Sequence, residues 1–356
     1  GSCSRRQAGG SPATHDWCSC NAMIPADLPA QAIDVNNPSW AEKACDELKN
    51  YGCARLRLTT PEVSSVGKLY SAADALFNDR NERRLLEVPD EEFDDLDYRS
   101  GYVYSRRREF FELHLGCRSA SALDHKCTGS VGKVFLENMW AVIDICQKRC
   151  QEALQEIAMS QGSTALLQLL KDEDRGQFEQ RKVLKDCMRV YRYKESHDRP
   201  EHDTAFHFDI GLLTLIPRGS RPALLVKPPN AIYIEEFMGE DEALLMGGMT
   251  LARLTGIRAL EHGVCTHSKI RFSAPFFQRV APSCMLPASR GHPAEKVSTW
   301  NSRVCDAENE ELRSDGSIVL RERSRGRDRR RRDEYQVRGD GRQSGASQDL
   351  KKDDWH

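Results

Sequence analysis

The sequence predicts a mostly β chain with flanking helices, its core a double-stranded β-helix (jelly roll), and three features carry that expectation. Between residues 183 and 283 the apolar residues fall into short runs, at 212–216, 223–226, 232–235, 243–246 and 271–277, separated by Gly and Pro. Short strands so evenly broken fit a two-sheeted roll. Ahead of them, residues 131–161 contain no proline and repeat apolar residues at helical spacing up to Gly162, which reads as one long supporting helix. Before that, helical and strand patterns alternate.

Taken in order, residues 1–36 mix Ser, Gly, Pro and Ala without apolar period and read as a flexible lead-in. Order is expected from about Pro38. Ser39 and Glu42 have the spacing of a capping box, and Trp40, Ala44, Cys45 and Leu48 share one helical face. Residues 51–58 alternate as a strand, and Thr60-Pro61 opens a second helix with Val63, Val66, Tyr70, Ala73 and Phe77 on one side. Residues 87–97 are acidic and read as a surface loop. The runs at 101–104 and 108–115 read as strands near a barrel mouth, where Tyr102, Tyr104 and Phe110 are core residues or substrate contacts.

The chemistry concentrates between residues 188 and 277. In His207-Phe208-Asp209 the imidazole and the carboxylate are two residues apart, so an extended chain points both to one side. His262 precedes a further strand that contains Arg271-Phe272-Ser273, again with an arginine and a hydroxyl on one face. Two histidines and a carboxylate can hold one side of an iron(II) ion. The planar guanidinium fork of Arg271, with Ser273 beside it, suits a carboxylate. Other candidates are weaker. His197, Asp198, His202 and Asp203 lie in a charged stretch that reads as a loop, and His267 stands too close to Arg271 and reads as a turn residue. Cys18, Cys20, Cys146 and Cys150 lack a second pair of ligands.

This order of residues resembles the isopenicillin N synthase-like branch of the non-haem iron(II), 2-oxoglutarate-dependent oxygenases. His207, Asp209 and His262 match that family's iron ligands, Arg271 and Ser273 match its grip on the distal carboxylate of 2-oxoglutarate, and Tyr193 matches a co-substrate contact. Two positions depart: Gly263 stands where the family usually has arginine, and Tyr191 where it has asparagine. The resemblance implies an enzyme using iron(II), 2-oxoglutarate and O2, with ascorbate as an optional addition. It would hydroxylate or desaturate a small molecule and release succinate and CO2. It also implies a division into an N-terminal oxygenase region at 37–130, supporting helices at 131–182 and the catalytic roll at 183–283. Two other readings stay open: an iron-dependent oxidase of the same fold that does not use 2-oxoglutarate, and a non-catalytic binding protein.

Composition adds bounds. A formal net charge of -2 gives no pull toward nucleic acid or acidic membranes. Thirteen scattered cysteines, without a signal peptide or long apolar run, read as reduced thiols in a cytoplasmic protein off the membrane, expected to be a monomer. Residues 287–356 lose apolar periodicity and read as a charged, disordered tail. Its eight arginines between Arg321 and Arg332 are the one hint of a nucleic-acid or RNA partner.

Overall fold

The computed structural model describes residues 28–87, 100–104, 108–115, 123, 129–174, 186–194, 202–228, 233–234, 237–265, 269–281, 283–312 and 318–322. The N-terminal part runs β1 (Ile33–Asp34), α1 (Trp40–Tyr51), β2 (Cys53–Arg57), α2 (Thr60–Asn78), α3 (Arg80–Leu86), β3 (Gly101–Tyr104) and β4 (Arg108–His114). Two helices follow, α4 (Ser130–Ser160) and α5 (Thr164–Asp174). The roll itself is β5 (Cys187–Tyr193), β6 (His202–His207), β7 (Leu213–Pro217), β8 (Leu224–Lys227), β9 (Tyr233–Ile234), β10 (Glu242–Gly247), α6 (Met249–Thr255), β11 (Glu261–Cys265), β12 (Arg271–Ser273) and β13 (Phe276–Gln278). Beyond it come the β14 (Met285–Leu286) and β15 (Glu295–Lys296) hairpin, α7 (Val297–Asp306), and a second hairpin of β16 (Ala307–Leu312) and β17 (Ile318–Glu322).

The large sheet has the order β1-β2-β10-β7-β13-β5-β4-β3, with β12 also on β5, and a smaller sheet has the order β6-β11-β8-β9. Pairing is antiparallel except for β1 on β2, so the large sheet is mixed. One face of it carries Leu56, Phe111, Leu113, Val190, Leu215 and Phe276 and packs on the helices. The long helix α4 buries Phe135, Met139, Val142, Cys146, Cys150, Leu154 and Ile157 there, positions three and four apart, which is why its apolar period makes it a support. The other face carries Ile216, Leu244 and Met246, which meet Leu224 and Val226 of the small sheet. This is the jelly roll expected from the short strands.

Several local expectations are corrected. Ser39 caps nothing with its side chain; its hydroxyl and N–H instead donate to Asn37 Oδ1. The capping box belongs to α2, where Thr59 and Glu62 bond each other's backbone N–H groups. Order begins before Pro38. Leu28 is buried, and the buried Arg55 reaches the carbonyls of Pro29 and Ala30 while gripping Glu242 at 2.9 and 3.0 Å. The run 271–277 is two strands, broken at Ala274-Pro275, because proline offers the ladder no N–H. His202 and Asp203 open β6 rather than lying in a loop. His197, Asp198, His267, Cys18 and Cys20 lie outside the described residues.

The largest correction concerns the C-terminal stretch. Residues 285–306 are not a tail: Val297, Trp300 and Val304 are buried along one face of α7. The segment is tied down by Arg253, whose side chain is wholly buried. Its guanidinium donates to Glu295 Oε1 at 2.6 Å and to the carbonyls of Pro293 at 2.6 Å and Pro287 at 3.2 Å, and it lies 4.8 Å from the centre of the Trp300 ring. Of the arginine-rich run, only Arg321 is among the described residues.

Breaking a buried ion pair by removing one partner typically costs about 3–5 kcal/mol. Arg253→Met is therefore expected to lower unfolding free energy by about that amount, read from urea denaturation. A chain ending at Pro287 is expected to lose stability in the same direction, since it strips Glu295, Pro293 and Trp300 from Arg253; an unchanged urea midpoint for both would show that the clasp contributes nothing.

Candidate active site

A cavity of about 370 Å³ lies between the two sheets, within the usual size of a small-molecule site. From the small sheet, antiparallel pairing of β6 and β11 sets His207 directly opposite His262, and their rings lie 4.5 Å apart between centroids. Asp209 follows β6, and its carboxylate oxygens stand 3.9 Å from His207 Nε2 and 3.6 Å from His262 Nε2. The three ligating atoms lie within 4.8 Å of one another, close enough to share one ion.

The surroundings suit that task. His262 Nδ1–H donates to the Leu260 carbonyl at 3.1 Å, which leaves the Nε2 lone pair facing Asp209. The Thr214 hydroxyl donates to Asp209 Oδ2 at 2.6 Å and fixes the carboxylate plane. Burial alone would raise the Asp209 pKa; His262, His207, the Thr214 hydroxyl and Arg279 outweigh it and hold the group below the ordinary carboxylate range. Two imidazoles and one ionised carboxylate, with the remaining side open to the cavity, fit a ferrous ion held on one face.

The opposite wall is β5. Tyr193 and Tyr191 stack at 5.5 Å and line the cavity, with Ser273 opposite Tyr191 in the ladder. Arg271 pairs with Tyr193 in register and is buried behind it, its guanidinium carbon 5.4 Å from the ring centre and Nε–H donating to the Arg221 carbonyl at 2.8 Å. Gly219 admits it, for a β-carbon there would lie 2.6 Å from Arg271 Nη2. All six residues singled out by sequence are thus brought to one region. Tyr102 is not among them: it is buried on the helix side against Phe77 at 5.8 Å and hydrogen-bonds Glu109. Tyr104 is exposed, and Phe110 packs on Tyr191 at 5.3 Å.

Sequence reasoning missed the far end of β5. There Glu112 of β4 bonds both His114 and Arg189, and Cys187 lies beside them. The ligating atoms of Glu112, His114 and Cys187 also lie within 4.8 Å of one another, yet the carboxylate is already engaged twice. Burial pushes the Cys187 thiol up to about 12, with Glu112 adding, so no thiolate is on offer. Burial would raise Glu112 too, but the hydrogen bond from His114 and the charge of Arg189 bring it down to about 2. Cys53 is likewise pushed up to about 12 by burial, and Cys146 and Cys150 higher still. The alternation of charged residues in Glu112-Leu113-His114 and Cys187-Met188-Arg189 was the available signal.

No protein-family model and no curated protein matches the chain. Solved structures do. A full-length Neurospora crassa protein in complex with alpha-KG and 5-formyluracil aligns at TM-score 0.60 and 15% identity, covering 79% of this chain and 97% of that one. The chain has the fold of this structure. The dioxygenase for auxin oxidation in rice aligns at 0.54 and 19%, covering 77% and 94%. JOX2 in complex with 2OG, Fe and JA aligns at 0.55 and 16%, covering 79% and 87%. Among the described residues no helix is long and apolar enough to cross a membrane.

The site can be tested at two of its supports. Thr214→Val removes the hydroxyl that orients Asp209, and outer partners of metal ligands are typically worth about 10–100-fold in affinity, so iron(II) binding measured by chelator competition is expected to weaken within that range. The folded Glu112 carboxyl titrates below the unfolded one. Its network therefore adds stability in full above the unfolded value of about 4.3 and loses it as pH falls toward about 2. Acid titration of Glu112→Gln followed by circular dichroism is expected to show a shallower loss of stability over that window than the parent.

Proposed function

We propose that the chain is an iron(II)- and 2-oxoglutarate-dependent oxygenase that hydroxylates or desaturates a small molecule, releasing succinate and CO2. The observation that carries this reading is the convergence of His207, Asp209 and His262 on one point, across the cavity from Tyr193 and Ser273. The keto acids bound in similarly folded structures support it.

In this reading His207, Asp209 and His262 hold the iron on one face. Bound there with its keto acid, iron supplies the oxygen chemistry that breaks an unactivated C–H bond. The protein's part is placement. Tyr193 and Ser273 offer hydroxyls to the distal carboxylate, and the permanent charge of Arg271 behind Tyr193 lowers the cost of bringing a dianion into a partly apolar cleft. Asp209 stays ionised because His262, His207 and Thr214 favour its charged form over the cost of burial. Leu224 and Val264 line the cavity and keep water from the reacting end.

Arg271→Gln keeps a donor and removes the charge. It is expected to raise the apparent constant for 2-oxoglutarate by about tenfold or more, with iron affinity unchanged. Ser273→Ala is expected to act in the same direction by less. Titrating 2-oxoglutarate into the iron-loaded, oxygen-free protein and following the visible charge-transfer band measures both. Absence of the band in the parent protein at millimolar 2-oxoglutarate would overturn the assignment and favour the oxidase that does not use it.

A further inference from the structure

The cavity wall along β5 has two cationic ends. At one end are Arg271 and Tyr193, already assigned to the co-substrate. Toward the other, Arg189, about 13 Å along the strand from Tyr193, and Arg279 both approach the Phe277 ring, with guanidinium carbons 5.6 and 4.8 Å from its centre. His207, Asp209 and His262 line the same cavity. These two arginines are not equivalent. Arg189 is matched by Glu112, to which its Nε–H donates. Arg279 is half-buried and lines the cavity, and among the described residues no carboxylate forms an ion pair with its guanidinium.

Its position is built rather than incidental. The backbone N–H of Arg279 donates to Asp186 Oδ1 at 3.2 Å. Its stem runs beside Gly211, two residues beyond Asp209, where a β-carbon would lie 3.3 Å from Arg279 Cγ. The charge is near enough to Asp209 to help lower that carboxyl. A half-buried arginine has lost part of its hydration, and an anion that enters beside it recovers the interaction. Phe208, Ile210, Val280 and Val297 give the same cavity an apolar part, beside the polar Thr250 and Asn301.

We propose that the substrate is a carboxylate with a compact apolar body, its carboxylate received by Arg279 and its body lying in the cavity toward His207, Asp209 and His262. Arg279 supplies a cation outside any ion pair among the described residues, and Phe208, Ile210, Val280 and Val297 suit an apolar body. This rests on the oxygenase reading and narrows it to a substrate class. Arg279 is then the residue that sets specificity for acids over their neutral analogues.

The test uses the full chain loaded with manganese(II) and saturated with 2-oxoglutarate, titrated calorimetrically with phenylacetate and with phenylacetamide. Phenylacetate is expected to bind about tenfold or more tightly than the amide. Arg279→Gln is expected to abolish that preference and Arg279→Lys to retain part of it, while both bind 2-oxoglutarate like the parent. Equal binding of acid and amide to the parent, or no binding of phenylacetate at millimolar concentration, overturns the proposal while leaving the co-substrate reading intact. Loss of 2-oxoglutarate affinity in Arg279→Gln would make this arginine a co-substrate contact and also overturn it. A parent protein that takes up no 2-oxoglutarate removes the oxygenase reading itself.

Discussion

The site depends on the register between β6 and β11. His207 faces His262 only because these two strands pair where they do, and a slip of one residue would turn one imidazole to the opposite face of the sheet. Asp209 lies past the end of β6, where no ladder holds it, so its place is set from elsewhere. Met249 N–H donates to the Asp209 carbonyl at 2.8 Å, Thr250 Oγ1–H to the Ile210 carbonyl at 2.6 Å, and Thr214 to the carboxylate itself. That contact between the start of α6 and the loop after β6 is close enough to require glycine. A β-carbon on Gly248 would lie 2.3 Å from the Gly211 carbonyl oxygen and 3.0 Å from that of Asp209. The loop geometry of Asp209 is therefore fixed by a glycine far along the chain.

How much of this was legible follows from which forces are local. The continuous apolar runs within Leu213–Pro217 and Glu242–Gly247 report strands buried on both faces, so they could be read directly. His207, Asp209, His262, Arg271 and Ser273 were legible because their spacing carries the family pattern. The α7 segment was not, although Val297, Trp300 and Val304 have helical spacing. Their partners lie elsewhere in the chain, and the residue that binds the segment, Arg253, reads in sequence as an ordinary surface arginine. Tyr102 was ambiguous for the same reason: both faces of its sheet are covered, and alternation does not say which face meets helices and which meets the cavity. Ser39 had the spacing for a cap, but Asn37 lay nearer to its hydroxyl.

Arg253 also links the barrel to the cavity's rim. It belongs to α6, the helix whose first turn steadies the Asp209 loop, and it holds the β14–β15 hairpin that leads into α7, which places Val297 and Asn301 in the cavity wall. One helix thus touches the Asp209 loop at its start and the covering segment at its end. A change in either contact would be felt by the other through seven residues of rigid backbone.

The thiols bear on the durability of such a protein. In the proposed oxygenase, a centre that fires without substrate would release oxidants into its own cavity and put nearby sulfur atoms at risk. Oxidation of cysteine proceeds through the thiolate. Burial keeps Cys187, at the end of the cavity wall, and Cys53, under the roll, protonated far above neutral pH. The same dry packing that builds the core thereby makes these two sulfurs poor nucleophiles, so idle turnover would spare them.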